Sequence, residues 1–67
     1  MITRIGLMAG DIWNYLEVHG KISSINDMVQ GLGSDRDLVL MSIGWLAREG
    51  HVVLEGGQEN YKVTLTR

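Results

Sequence analysis

Apolar residues recur at helical spacing from Ser34 to Gly50, and polar residues mark both ends of this stretch. Ser34 is a favourable N-cap, Arg48 places positive charge in the last turn, and Gly50 suits a left-handed helix stop. The pattern therefore predicts one helix over residues 35–49.

This helix carries apolar residues on more than one side. At about 100° per residue, one stripe should face the core, and it consists of Val39, Ile43 and Leu46. A second stripe lies about a third of a turn or more away, and it consists of Leu38, Met41 and Trp45, with Leu40 on its flank. Because a slim domain cannot bury every side of one helix, the second stripe is expected to contact a partner.

A long helix is predicted at the start of the chain, over residues 4–18, where apolar residues follow the spacing of one helix face. Gly6 and Gly10 lie inside this pattern, and each costs about 1 kcal/mol of helix stability relative to Ala. A later start, with Asp11 as the N-cap, therefore stays open as an alternative.

The next segment combines a short strand with a short helix. Residues 21–23 predict a minor third strand with Ile22 pointing inward, and Ser24 is then a suitable N-cap for a helix over residues 25–32. Gly33 supplies the turn into the helix that follows.

After Gly50 the helical period gives way to alternation of apolar and polar residues. This change predicts two strands, over residues 51–55 and 60–65, joined as a β-hairpin through Gly56 and Gly57. Five apolar residues should close over the third helix, namely Val52, Leu54, Tyr61, Val63 and Leu65. Val53 is left facing outward.

Three helices followed by a two-stranded wing, with short connections, are typical of the winged helix-turn-helix, an α+β architecture. We expect residues 1–67 to form one such domain. The side chains expected to be most buried are Ile12, Leu16, Met28, Leu32, Val39, Ile43, Leu46, Val52 and Val63.

Length and composition narrow the functional classes. A chain of 67 residues buries a limited share of its surface on folding, so oligomerisation would be a source of extra stability. The sequence has no cysteine, which leaves no disulfide or thiolate metal site, and we expect a cytoplasmic protein. The longest apolar runs are too short to cross a bilayer, so no membrane contact is expected.

No catalytic or ligand-binding constellation is visible in the sequence. His19 and His51 lack further ligands at metal-binding spacing, and Asp35 and Asp37 stand two residues apart on a helix, so their side chains diverge. We therefore expect no enzyme activity, no cofactor, no metal and no small-molecule ligand.

Two short motifs carry a resemblance to a known family. The segments AG-x-IW, at residues 9–13, and GWLAREG, at residues 44–50, resemble a small prokaryotic family of stand-alone winged-helix domains of unknown function within the winged helix-turn-helix superfamily. The resemblance covers nearly the full chain. It implies a regulator-like module and brings no catalytic residues.

In that superfamily the third helix usually enters the major groove of DNA and the wing contacts phosphate. Arg36, Arg48 and Lys62 are the residues here that would contact nucleic acid. However, residues 34–60 carry five acidic and two basic side chains, and the whole chain has a formal charge of -2. A surface of this sign repels phosphate, which disfavours DNA binding.

The same helix face suits a protein partner. Tryptophan, methionine, leucine and arginine are the residue types found at interface centres, and the face offers Leu38, Leu40, Met41 and Trp45. We therefore expect a module that acts through protein contacts, as a homodimer or as a regulatory adaptor in a transcription-related context. Two alternatives stay open: Trp45 could pack in the core, and the protein could be a DNA-binding transcriptional regulator.

Overall fold

The computed structural model describes residues 2–57 and 60–66 and contains the predicted three helices and small antiparallel sheet. The elements follow one another as α1 (Ile2–Val18), β1 (Ile22–Ser24), α2 (Ile25–Leu32), α3 (Arg36–Arg48), β2 (Val52–Gly56) and β3 (Tyr61–Leu65). The predicted α+β winged helix-turn-helix architecture is therefore confirmed.

The first helix is continuous and begins at Ile2, two residues before the predicted start. Gly6 and Gly10 are exposed on it, so neither interrupts the buried face. The alternative start at Asp11 is wrong, because tertiary packing of the apolar face outweighs the low helix propensity of two glycines.

The three strands form one sheet in the order β1-β3-β2, with both pairs antiparallel. Thr64 on the central strand faces Ile22 on one side and Val53 on the other. The short strand starts one residue later than predicted, because Lys21 adopts a left-handed φ of 69°. Ile22 is exposed, so the expectation that it points inward is wrong.

Polar side chains cap the second and third helices. The Ser24 hydroxyl accepts a hydrogen bond from the Asp27 backbone N–H at 3.1 Å, as predicted for an N-cap. In α3, however, the cap is Asp35, whose Oδ2 accepts from the Leu38 N–H at 3.1 Å, and the prediction of Ser34 is one residue too early. Gly50 does adopt a left-handed conformation, with φ 78°, after the last turn of α3.

One hydrophobic core lies between the helices and the inner face of the sheet. It contains eight of the nine residues predicted to be most buried, the exception being the half-buried Leu32. It also contains residues the prediction left out, namely Met8, Ala9, Ile25, Leu38 and Leu65.

Burial falls along both long strands toward the hairpin. Val52, Val63 and Leu65 are buried, but Leu54 and Tyr61 are exposed, although they lie on the same face of the sheet. The prediction that all five residues close over α3 is therefore wrong for the two nearest the hairpin.

Candidate protein-contact surface on the third helix

The third helix buries one side and exposes the other. Val39, Ile43 and Leu46 lie in the core, as predicted. The opposite side carries Asp37, Met41, Gly44, Trp45 and Arg48, all of them exposed. We call this set, together with Leu40, the α3 surface.

Two large apolar side chains dominate the α3 surface. Met41 is 42% exposed and Trp45 is 47% exposed, and they lie four residues apart, so they are neighbours on the helix. Leu40 is half-buried and packs against the core, so it is the outer part of its side chain that contributes to the α3 surface.

Leu38 does not belong to this surface, and its prediction as a contact residue is wrong. It is 8% exposed and lies in the hydrophobic core. On a helical wheel Leu38 and Trp45 are separated by about 20°, and the boundary between the buried and exposed sides passes between them. Ser42, one turn after Leu38, is completely buried and donates its hydroxyl hydrogen to the Leu38 carbonyl at 2.7 Å.

The two tryptophans have different environments. Trp13 on α1 is half-buried, packs against the core, and places its ring centroid 4.8 Å from that of His51. Its Nε1 donates a hydrogen bond to Glu17 Oε1 at 3.3 Å. Of the two tryptophans, Trp13 is thus the one that extends the core, whereas Trp45 leaves almost half of its surface open to solvent.

The three basic residues considered for nucleic acid are all exposed, but they lie apart. Arg36 and Arg48 are the first and last residues of α3, about 18 Å apart along its axis. Lys62 lies on the wing, opposite Glu55 of β2 in the antiparallel register.

Arg36 has a structural role that the sequence did not suggest. Its guanidinium donates to Asn26 Oδ1 at 2.7 Å, and the backbone N–H of Asn26 donates to Asn60 Oδ1 at 3.0 Å. These two hydrogen bonds connect the start of α3, the start of α2 and the wing. Because asparagine is common at turns and caps, its presence alone gave no signal for a contact 34 residues away.

The electrostatics of α3 and the wing are mixed. From Asp35 to Lys62 the described residues carry four acidic and three basic side chains. On α3 itself, Asp37 lies in the first turn and Arg48 in the last, the arrangement that the helix dipole favours. The described residues of α3 and the wing therefore do not form the continuous positive surface that attracts a phosphate backbone.

Neither a metal centre nor a membrane span is found in the part of the chain that the structure describes. Its side chains include no group of three His, Cys, Asp or Glu residues placed to hold a metal ion. No described helix has both the length and the apolar character needed to cross a bilayer.

The chain matches one family of known proteins. A family model described as a winged helix-turn-helix domain (DUF2582) matches residues 1–66. No curated protein and no solved structure matches the chain significantly. The family match agrees with the fold and covers the α3 surface, and its description gives no partner or activity.

Proposed function

The chain belongs to the family of winged helix-turn-helix domains DUF2582, and from that premise we propose that it is a non-enzymatic module acting through protein–protein contacts. The α3 surface is the contact in this proposal. Through this contact the chain forms a homodimer or acts as a regulatory adaptor, in a transcription-related, cytoplasmic context.

The observation that carries the proposal is the exposure of Met41 and Trp45 side by side on α3. Large apolar side chains that are grouped on a surface, with an arginine near them, have the composition of an interface centre. Arg48 lies on the same stripe, three residues after Trp45. Covering these side chains would remove apolar area from water, which is the main driving force of protein association.

A DNA-binding regulator is the second candidate, because the winged helix-turn-helix commonly presents its third helix to the major groove. Arg36, Arg48 and Lys62 would then contact phosphate. The charge of the described surface opposes this role, since acidic side chains outnumber basic ones from Asp35 to Lys62. Met41 and Trp45 also offer no hydrogen-bond pattern that matches base edges well.

The first prediction tests the α3 surface directly. The parent chain is expected to self-associate at hundreds of micromolar, and Trp45→Ala is expected to weaken association by about 2 kcal/mol or more if Trp45 is an energetic centre of the interface. Sedimentation equilibrium measures the association, and circular dichroism checks that the helical fold is retained.

Val53→Ala is the matched control, because Val53 is 48% exposed but lies on the wing. It should leave association unchanged. If Trp45→Ala and Val53→Ala had the same small effect on association, the α3 surface would not be the contact.

A further inference from the structure

We infer that the α3 surface binds the same surface of a second copy of this chain, with the two α3 helices antiparallel about a two-fold axis. The inference rests on the proposed function and names both the partner and the register. It is based on the order of the exposed residues along α3, because an antiparallel second copy would place opposite charges together and a large side chain against a glycine.

Four exposed residues form the central stripe of the surface, at the spacing of four, three and four residues. They are Asp37, Met41, Gly44 and Arg48. This spacing is that of the alternating core positions of a coiled coil, which keep one seam toward a partner helix. In an antiparallel pair, the residues at equal distances from the two-fold axis on opposite sides face one another.

Charge fixes the direction of the second helix. The antiparallel register places Asp37 opposite Arg48 of the second copy. The two-fold axis repeats this pair at the other end of the seam, by which we mean the line of contact between the two central stripes. A parallel register would place Asp37 beside Asp37 and Arg48 beside Arg48, which repel. Within one chain these two side chains are eleven residues, or about 16 Å, apart along the helix, beyond the screening length at physiological salt.

Size is complementary at the centre of the seam. The same register places Met41 opposite Gly44 of the second copy. Apart from its two chain neighbours and the helix backbone within four residues, no described part of the chain comes within 4 Å of the position that a Gly44 Cβ would occupy. Gly44 therefore leaves a recess in the helix surface, and the flexible side chain of methionine suits such a space.

The flanks of the seam are also alike. Trp45 lies on one side of the central stripe and Leu40 on the other. A two-fold axis perpendicular to the two helices leaves each side of the stripe on the same side of the dimer. Trp45 therefore lies near Trp45 of the second copy, and Leu40 lies near Leu40 of the second copy. Aromatic pairs gain attraction beyond the area that they bury. The exposed part of Trp45 is thus covered in the assembly without any change in the fold of one chain.

The decisive experiment exchanges the charges between two variants. Asp37→Arg and Arg48→Asp are each expected to weaken self-association by about tenfold or more, because each places like charges at both ends of the seam. An equimolar mixture of the two variants should associate again, since every pair is then an opposite-charge pair. Sedimentation equilibrium of each variant and of the mixture gives the result, and Asp11→Arg, an exposed charge reversal on α1, is the control that should change nothing.

A second variant keeps the inference testable if charge reversal disturbs the ends of α3. Gly44→Gln fills the recess with a good helix former, so the single chain should keep or raise its melting temperature while self-association falls. Gly10→Gln is the matched control, because Gly10 is also exposed, helical and open within the described structure. It should leave self-association unchanged.

The outcomes separate this inference from the proposed function. If Trp45→Ala weakens association but the charge-exchanged mixture stays dissociated, the antiparallel register is overturned and the contact surface stands. A parent chain that remains monomeric at hundreds of micromolar overturns the second-copy assignment, and leaves a different protein as the partner. Association that depends on neither Trp45 nor the charge pair overturns both.

Discussion

Tyr15 on α1 makes a contact with α2 that the sequence pattern did not reveal. Its hydroxyl donates to the Asp27 carbonyl at 3.3 Å, and its ring stacks on His19 with 3.9 Å between centroids. A Cβ on Gly31 would lie 2.5 Å from Tyr15 Cε2 and 2.9 Å from its hydroxyl oxygen. A side chain at position 31 would therefore force the Tyr15 ring to shift from this position.

This contact gives a prediction at the residue scale. Gly31→Ala should lower the melting temperature, because the Tyr15 ring must move from the position fixed by its hydrogen bond and by stacking on His19. This cost is expected to exceed the helix preference of alanine over glycine, which is about 1 kcal/mol. Gly10→Ala should raise the melting temperature, because the added methyl group meets open space in the described structure. Thermal unfolding of both variants tests the difference in sign, and a Gly31→Ala protein as stable as Gly10→Ala would show that the ring moves at no cost.

At the scale of the element, α3 supplies the centre of the core. Ile43 is almost completely buried and Leu46 lies beside it on the same side of the helix. Ile43→Ala or Leu46→Ala should therefore cost on the order of 2 to 5 kcal/mol, a large part of the stability of so small a domain. Urea unfolding measures the loss, with Leu7→Ala as the control, because Leu7 is 68% exposed on α1 and lies outside the α3 surface. A loss below about 1 kcal/mol in both core variants would contradict the assigned inner side.

Hydrophobic periodicity was sufficient to predict the three helices, the hairpin and most of the core. Periodicity failed where two candidate side chains stand close together on the helical wheel, as Leu38 and Trp45 do, because the boundary of burial depends on the neighbouring elements. It also failed at the wing, where alternation predicts a face but not how far the helices extend beneath it. Leu54 and Tyr61 have the pattern of buried residues and are exposed.

Capping residues were harder to predict than helix spans. Ser34 and Asp35 are adjacent and both are favourable N-caps, so the sequence alone does not choose between them. The structure uses the Asp35 carboxylate and leaves the Ser34 hydroxyl donating to the Leu32 carbonyl at 3.4 Å.

The contact surface was predicted in part, through Met41 and Trp45, because large apolar residues opposite a core stripe can be read directly from the spacing.

For the whole molecule, charge decides between the two candidate partners. The formal charge of -2 and the acidic excess along α3 and the wing oppose the phosphate attraction that supplies most non-specific DNA affinity. We predict weak, salt-sensitive binding to generic duplex DNA at physiological ionic strength. A titration that gave sub-micromolar affinity at about 150 mM salt would favour the DNA-binding regulator instead.

Asn26 contacts both the wing and the start of α3, through its backbone N–H and its side-chain oxygen respectively. A hinge movement of the wing away from α2 would break the hydrogen bond to Asn60, whose acceptor helps to satisfy the otherwise unpaired amides at the start of α2. These two hydrogen bonds tie the wing and α3 to the start of α2, which reduces the conformational entropy that is lost when a partner docks. We therefore expect the free energy gained by covering Met41 and Trp45 to be realised largely as affinity, since the backbone beneath them needs little ordering.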